Sequence, residues 1–246
     1  MSWLAGKVIE NRPWTDTLFS LRVEAPKLAF QAGQFVRIAL DVGDKRVARA
    51  FSFVNPPEDP TLEFFGVVVA EGPLSPRLAR LRVGDELHVA SNPAGFLVLR
   101  EVPDARTLWL LSTGTGIAPF LSILRTTAPW QRFREVVLVH AVRHARELVY
   151  RDMIARLQKE RGGALRYVTF VSREAAAGSL AGRIPAAVLD GRLEAAAGTQ
   201  LAAETSQVLL CGNPDMLKDT VAALAARGLR KHRRRAPGHI TVESFW

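Results

Sequence analysis

The apolar pattern of this chain changes period near residue 100, and that change constrains the fold more than any other feature. Before it, the runs are short and alternate. Residues 34–42 place Val36, Ile38 and Leu40 on one face and Arg37 and Asp41 on the other. Residues 6–11, 17–24, 47–54, 61–70 and 86–91 are comparable runs, with breakers such as Asn55-Pro56-Pro57-Glu58-Asp59-Pro60 between them. A single short helix is predicted, over 75–81. Six short strands with little helix predict an antiparallel β-barrel.

After residue 100 the strands read as continuous apolar runs, at 107–112, 135–140, 167–172 and 207–212. Helical patterns follow them, the first ending at Leu124 and the second spanning about 146–161. The last helix has a well-marked start, with Asn213 to cap it, Pro214 in the first turn and Asp215 suited to the dipole; Gly228 ends it. Strands without alternation are buried on both faces, so this half predicts a Rossmann-like parallel α/β sheet. The division falls into residues 1–100 and 101–246, and 246 residues at 48% hydrophobic content suffice for two cores. One cysteine excludes a disulfide framework and fits a reducing compartment. The first residues lack the pattern of a signal peptide. The longest uncharged stretch, 107–124, contains Gly114, Gly116 and Pro119 and is unsuited to a membrane span. A soluble, cytoplasmic protein is expected.

The formal net charge is +9, from 33 Lys/Arg against 24 Asp/Glu, and it is unevenly placed. Residues 227–235 hold six of the basic residues and no acid; without those six, 27 basic residues face 24 acidic ones. Such a cluster attracts an acidic partner or is a solvated basic loop.

Three features carry chemistry. Ser112-Thr113-Gly114-Thr115-Gly116-Ile117-Ala118-Pro119 joins a buried strand to a helix, where glycines admit a pyrophosphate to the backbone N–H groups. It matches neither GxGxxG nor a Walker loop, and an unliganded tight turn has the same pattern. Arg143, Arg173 and Arg183 stand at or just after strands, where ligands of open α/β sheets bind and where a guanidinium can chelate phosphate. Arg49-Ala50-Phe51-Ser52 combines a cation, an aromatic plate and a hydroxyl within one strand. No HExxH, paired-Cys zinc spacing or GxSxG is present, so no metal site is expected. The five histidines are scattered and read as core or surface residues, and Cys211 as a small buried hydrophobe.

Taken in order, Arg49-Ala50-Phe51-Ser52-Phe53-Val54-Asn55-Pro56, Leu74-Ser75-Pro76-Arg77-Leu78, Thr113-Gly114-Thr115-Gly116-Ile117-Ala118-Pro119, Cys211-Gly212-Asn213-Pro214 and Val242-Glu243-Ser244-Phe245-Trp246 resemble the bacterial ferredoxin/flavodoxin–NADP reductases from end to end. The resemblance implies an FAD-binding barrel (1–100) followed by an NADP(H)-binding α/β domain (101–246). It implies FAD contacts from Arg49, Ala50, Phe51, Ser52, Phe65, Pro73, Leu74, Ser75 and Thr115, with Phe245 and Trp246 packing on the cofactor. Phe51 stands where the family usually has tyrosine; stacking is retained and a hydroxyl is lost. NADP contacts are implied for Val142, Arg143, Ser172, Arg173, Arg183, Asn213, Pro214, Asp215 and Asp219. Ser52, Cys211 and Glu243 match polar groups bordering the nicotinamide–flavin contact and take supporting catalytic roles.

The implied reaction is hydride exchange between nicotinamide C4 and flavin N5, then single-electron transfer to an acidic carrier, ferredoxin or flavodoxin. It depends on proximity and water exclusion more than on an acid or base, in keeping with the missing hydrolytic motifs. NADPH is the expected cofactor and a monomer the expected state, with neither nucleic acid nor membrane as a partner. The nearest competing readings on the same scaffold are an NADH-linked reductase of a heme protein and a free-flavin reductase. From another class, a nucleic-acid-binding protein would use residues 227–235 and leave the Gly-rich turn without a role.

Overall fold

The computed structural model describes residues 2–244, and it contains the expected barrel followed by a parallel α/β sheet. Six antiparallel strands form the first sheet: β1 (Trp3–Pro13), β2 (Leu18–Glu24), β3 (Phe35–Val42), β4 (Lys45–Ser52), β5 (Leu62–Val67) and β6 (Glu86–Ala90). Their order is β4-β3-β6-β1-β2-β5. The two edges meet where Phe53 bridges Phe64 and the Val54 N–H donates to the Glu63 carbonyl at 2.9 Å, which curls the sheet into a barrel. Period-two alternation turns Val8, Leu21, Val23, Ile38, Phe64 and Val89 inward. Helix α1 (Ser75–Leu78) plugs one end with Leu74 and Leu78. It is shorter than the helix predicted over 75–81. The Asn11 side-chain amide donates to the carbonyls of Leu78, Ala79 and Leu81 at 2.8–3.2 Å, and so satisfies its C-terminal end without further helical turns.

The second sheet is wholly parallel. It comprises β7 (Thr107–Thr113), β8 (Glu135–Val142), β9 (Leu165–Val171), β10 (Leu180–Ala181), β11 (Ser206–Gly212) and β12 (Ile240–Ser244), in the order β10-β9-β8-β7-β11-β12. Between them lie α2 (Ala118–Leu124), α3 (Ala128–Arg132), α4 (Arg151–Glu160), α5 (Ile184–Leu189), α6 (Arg192–Ala197) and α7 (Pro214–Ala226). Strand β7 shows why the apolar runs are continuous. Leu108 and Leu110 face α2 and α4, while Trp109 and Leu111 face α5, α6 and α7. The first of these two cores also takes Leu18, Val54, Phe65 and Leu97 from the barrel side, so the two sheets share a buried interface.

Helix α4 starts five residues later than the 146 read from periodicity. Residues Ala145–Glu147 form one 3₁₀ turn, and Tyr150 takes a left-handed backbone (φ 61°) that no helix can continue through. Strand β12 has no strand signature in the sequence, because five residues of mixed polarity carry too little alternation to mark one.

Candidate active site

The order of the second sheet reverses at β7, and ligands of such sheets sit beyond the carboxyl ends at that point. Parallel register determines which residues line that edge. Val142 lies opposite Val171, and Val171 opposite Ala181. Arg143, Arg173 and Arg183 follow within one or two residues, so three guanidinium-bearing positions stand on adjacent strands spaced about 4.8 Å apart. All three are exposed, and among the described residues none is in an ion pair. The Arg173 N–H donates to the Arg143 carbonyl at 3.0 Å, and Ser172 donates to the Val142 carbonyl through both its N–H (3.1 Å) and its hydroxyl (3.2 Å). Glu174, the nearby acid, is occupied by the Ala145 N–H at 2.6 Å and His144 at 3.3 Å.

Next along the edge is the Gly-rich turn, a single 3₁₀ turn at Gly114–Ile117 that runs into α2. Gly114 has φ 53°, and its carbonyl is held at 3.0 Å by Nε2 of the fully buried His140. Burial pushes the His140 pKa down to about 4, so the ring is neutral and donates from Nε2, with the Tyr167 hydroxyl 3.5 Å from Nδ1. His140 is thus a core histidine with a specific task, holding the turn from beneath. On the far side, the Thr113 hydroxyl accepts the Asn213 N–H at 2.9 Å and ties the turn to the start of α7. Asn213 caps that helix by accepting from Asp215 N (2.9 Å) and Met216 N (3.3 Å). Asp215 and Asp219 are exposed on α7, one turn apart.

The last pair along the edge is Cys211 and Glu243, opposite each other in β11 and β12. Burial first, then the Glu243 charge, pushes the Cys211 thiol well up, so it stays a thiol rather than a nucleophilic thiolate. Glu243 Oε2 accepts the Phe96 N–H at 3.2 Å, and its Oε1 is buried without a partner among the described residues.

On the barrel, Arg49 and Ala50 are exposed at the end of β4, Phe51 is half-buried, and Ser52 is 2% exposed with a hydroxyl that has no partner among the described residues. Gly66 makes room for the Phe51 ring, since a Cβ there would come within 2.9 Å of it. Pro73 is exposed, and the Ser75 hydroxyl accepts the Val69 N–H at 2.9 Å. Thr115 is half-buried in the Gly-rich turn. Phe65 and Leu74 turn their side chains into the cores, at 3% and 1% exposure, which leaves only backbone for a cofactor to touch. Phe245 and Trp246 lie outside the described residues.

Comparison with known proteins decides the family. Residues 10–97 match the oxidoreductase FAD-binding domain and residues 110–222 the oxidoreductase NAD-binding domain. The flavodoxin/ferredoxin–NADP reductases of Shigella flexneri and Escherichia coli (strain K12) are 53% and 52% identical to it over 245 residues, 99% of each chain. The chain belongs to the flavodoxin/ferredoxin–NADP reductase family. A ferredoxin NADP+ reductase from Neisseria gonorrhoeae, solved with bound FAD and NADP, superposes with a TM-score of 0.95 at 35% identity, covering 99% of both chains.

In this family member the half-buried Glu243 carries a pH signature. Burial raises its pKa from 4.5 to about 7. Across that interval the folded state binds more protons than the unfolded one, so stability falls as pH rises through it. The full fall is on the order of 3 kcal/mol. Glu243→Gln is expected to flatten this decline relative to the parent in denaturant titrations between pH 5 and 8; parallel curves would show that Glu243 ionises freely.

Proposed function

We propose that NADP(H) lies along the carboxyl edge of the second sheet, phosphates at the β8–β10 end and nicotinamide at the β11–β12 end, with FAD held by the β4 motif beside it. The order of the edge carries this reading. Its arginines stand at one end, a backbone N–H turn at the centre and buried polar groups at the other, which matches a dinucleotide with charged phosphates and a flat redox ring. The division of labour is then residues 1–100 for FAD and 101–246 for NADP(H).

The chain is an FAD-dependent oxidoreductase of the ferredoxin/flavodoxin–NADP reductase type. Bound FAD supplies the redox chemistry, taking or giving hydride with nicotinamide and passing single electrons to a carrier. The residues present fit it. The buried Ser52 hydroxyl has no partner among the described residues, the half-buried Phe51 precedes it, and the Arg49 guanidinium donates to the neighbouring Ala48 carbonyl at 2.8 Å. In this reading Arg49 binds the FAD pyrophosphate, Phe51 stacks on the isoalloxazine, and backbone at Phe65 and Leu74 with Pro73, Ser75 and Thr115 completes the contacts. Arg143, Arg173 and Arg183 hold the adenosine phosphates together with Val142 and Ser172, and Asn213, Pro214, Asp215 and Asp219 frame the nucleotide. Ser52, Cys211 and Glu243 exclude water at the ring contact and hold its protons in place. Titration with NADPH and NADH tests the reading. Bleaching of a yellow protein at near-stoichiometric NADPH, and by NADH only in large excess, is expected. A colourless protein refutes the FAD assignment, and equal response to both nucleotides refutes the phosphate assignment.

The basic segment supplies the carrier surface. Arg227 is spent on Glu194, and Arg234 chelates Glu101 at 2.9 and 3.0 Å with its guanidinium 5.1 Å from the centre of the exposed Phe96 ring. Arg230, Lys231, Arg233 and Arg235 remain exposed, with Arg233 and Ala236 pairing across a tight turn. Among the described residues these four are in no ion pair, and four such cations on one short segment suit an acidic one-electron carrier such as ferredoxin or flavodoxin. Reversing Arg233 and Arg235 to Glu is expected to lower turnover with such a carrier about tenfold at low salt. Turnover with a small neutral acceptor should hold; an equal loss in both assays would exclude carrier steering.

A further inference from the structure

Between the two cofactor-binding elements lies a polar cluster that no part of this mechanism uses. Arg125, just past α2, donates from Nη1 to Glu63 Oε2 and to the Val54 carbonyl, both at 3.2 Å, and from Nη2 to Asp59 Oδ2 at 2.7 Å. The other Glu63 oxygen accepts the Tyr150 hydroxyl at 3.0 Å. Ser122 of α2 donates to the Asn55 carbonyl at 2.7 Å, and Asn55 in turn accepts the Glu63 N–H through its side chain at 2.7 Å. Tyr150 is 5% exposed, its ring 4.9 Å from Trp14 and 5.3 Å from Phe65. Its left-handed backbone is costly for a bulky residue and persists only where the surroundings hold it.

What this cluster joins gives it meaning. Residues 54–63 follow directly on Arg49-Ala50-Phe51-Ser52, and α2 follows directly on the Gly-rich turn. Tyr150 stands seven residues after Arg143. Three of the elements that meet a cofactor in this reading, the β4 motif, the Gly-rich turn and the end of β8, are therefore fastened a few residues downstream to the same four side chains.

We propose that Arg125, Glu63, Asp59 and Tyr150 form a positioning clamp that sets how closely and at what angle nicotinamide meets flavin. The proposal rests on the functional reading above. Displacements of about 1 Å at a reacting pair can reduce rates a hundredfold, so a clamp of this kind acts on the reaction without touching either cofactor. Burial raises the Tyr150 phenol well above its ordinary pKa and keeps it a neutral donor to Glu63.

The test compares FAD-loaded wild type with Tyr150→Phe, which removes one hydroxyl and conserves the ring, and with Glu63→Gln. Single-turnover bleaching by saturating NADPH is expected to slow roughly tenfold in each. The long-wavelength charge-transfer absorbance of the bleached, reduced protein at saturating NADP+ should weaken in parallel. NADP+ affinity should stay within about twofold, because the phosphate contacts are untouched. A purely structural role predicts lower thermal stability with unchanged bleaching rate and charge-transfer absorbance, and that result overturns the clamp. A wild type that NADPH does not bleach overturns the functional reading and the clamp with it; a bleached wild type with unaltered variants overturns the clamp alone.

Discussion

Replacing Arg173 or Arg183 with alanine is expected to raise the Michaelis constant for NADPH about 10- to 150-fold while sparing turnover with NADH. The figure follows from the loss of one charge-assisted contact, worth roughly 1.5–3 kcal/mol. Register places these residues beyond adjacent strands, β9 and β10, at the end of the edge most distant from Cys211 and Glu243. A 2′-phosphate is the part of NADP that NAD lacks, and it lies at the adenosine end, away from the ring. Neither arginine is engaged in an ion pair among the described residues, so the substitution exposes no orphaned acid and the fold should be unaffected. Steady-state kinetics with both nucleotides decide the matter. Equal losses with NADPH and NADH would move these arginines from the 2′-phosphate to the shared pyrophosphate or to a structural role.

The architecture was legible because it rests on local rules. The change from alternating to continuous apolar runs reflects whether one or both faces of a strand are covered, and β3 and β7 show the two cases directly. Start and stop residues placed α7 correctly, since Asn213 caps it and Gly228 (φ 83°) follows its end. The misread helix ends share a cause: they depend on partners distant in sequence. Helix α1 stops early because of Asn11, 67 residues before the nearest carbonyl it binds. Helix α4 starts late because Tyr150 is turned toward Glu63, 87 residues away. Of the basic run, Arg227 and Arg234 are consumed by Glu194 and Glu101, which no count of charges can reveal.

The same holds within the site. Arg49 to Ser52, the Gly-rich turn and the strand-end arginines are contiguous or follow apolar runs, so they can be read directly. His140 gives no such signal, as its donation to the Gly114 carbonyl appears only when β7 and β8 lie side by side. Glu63, Arg125 and Tyr150 belong to three separate segments with no motif among them, and only the docking of barrel on sheet brings them together.

Gly116→Ala is expected to damage both the fold and nucleotide binding, and more severely than the same change at Gly114. The two glycines serve different ends. Gly114 has a positive φ of 53° with open space where a Cβ would go, so alanine there meets only the left-handed penalty, roughly 1–2 kcal/mol. At Gly116 the obstacle is contact. A Cβ would lie 2.4 Å from the Cys211 carbonyl oxygen, 2.7 Å from its carbon and 2.9 Å from Gly212 Cα, all backbone atoms of a central strand. Such atoms cannot rotate aside. Either the turn lifts from β11, withdrawing the N–H groups that the proposed binding mode assigns to the pyrophosphate, or β11 shifts and carries Cys211 away from Glu243. Overpacking of this kind costs roughly 1–3 kcal/mol, which for a chain of this size lowers the melting temperature by about 2–12 °C. The Michaelis constant for NADPH should rise more than about tenfold, a loss of at least ~1.4 kcal/mol in binding. NADH should suffer equally, because in the proposed binding mode the turn meets the part both nucleotides share; this separates Gly116→Ala from the arginine variants. A Gly116→Ala protein that melts and binds NADP+ as the parent does would show that the turn is not wedged against β11, and would remove it from the nucleotide site.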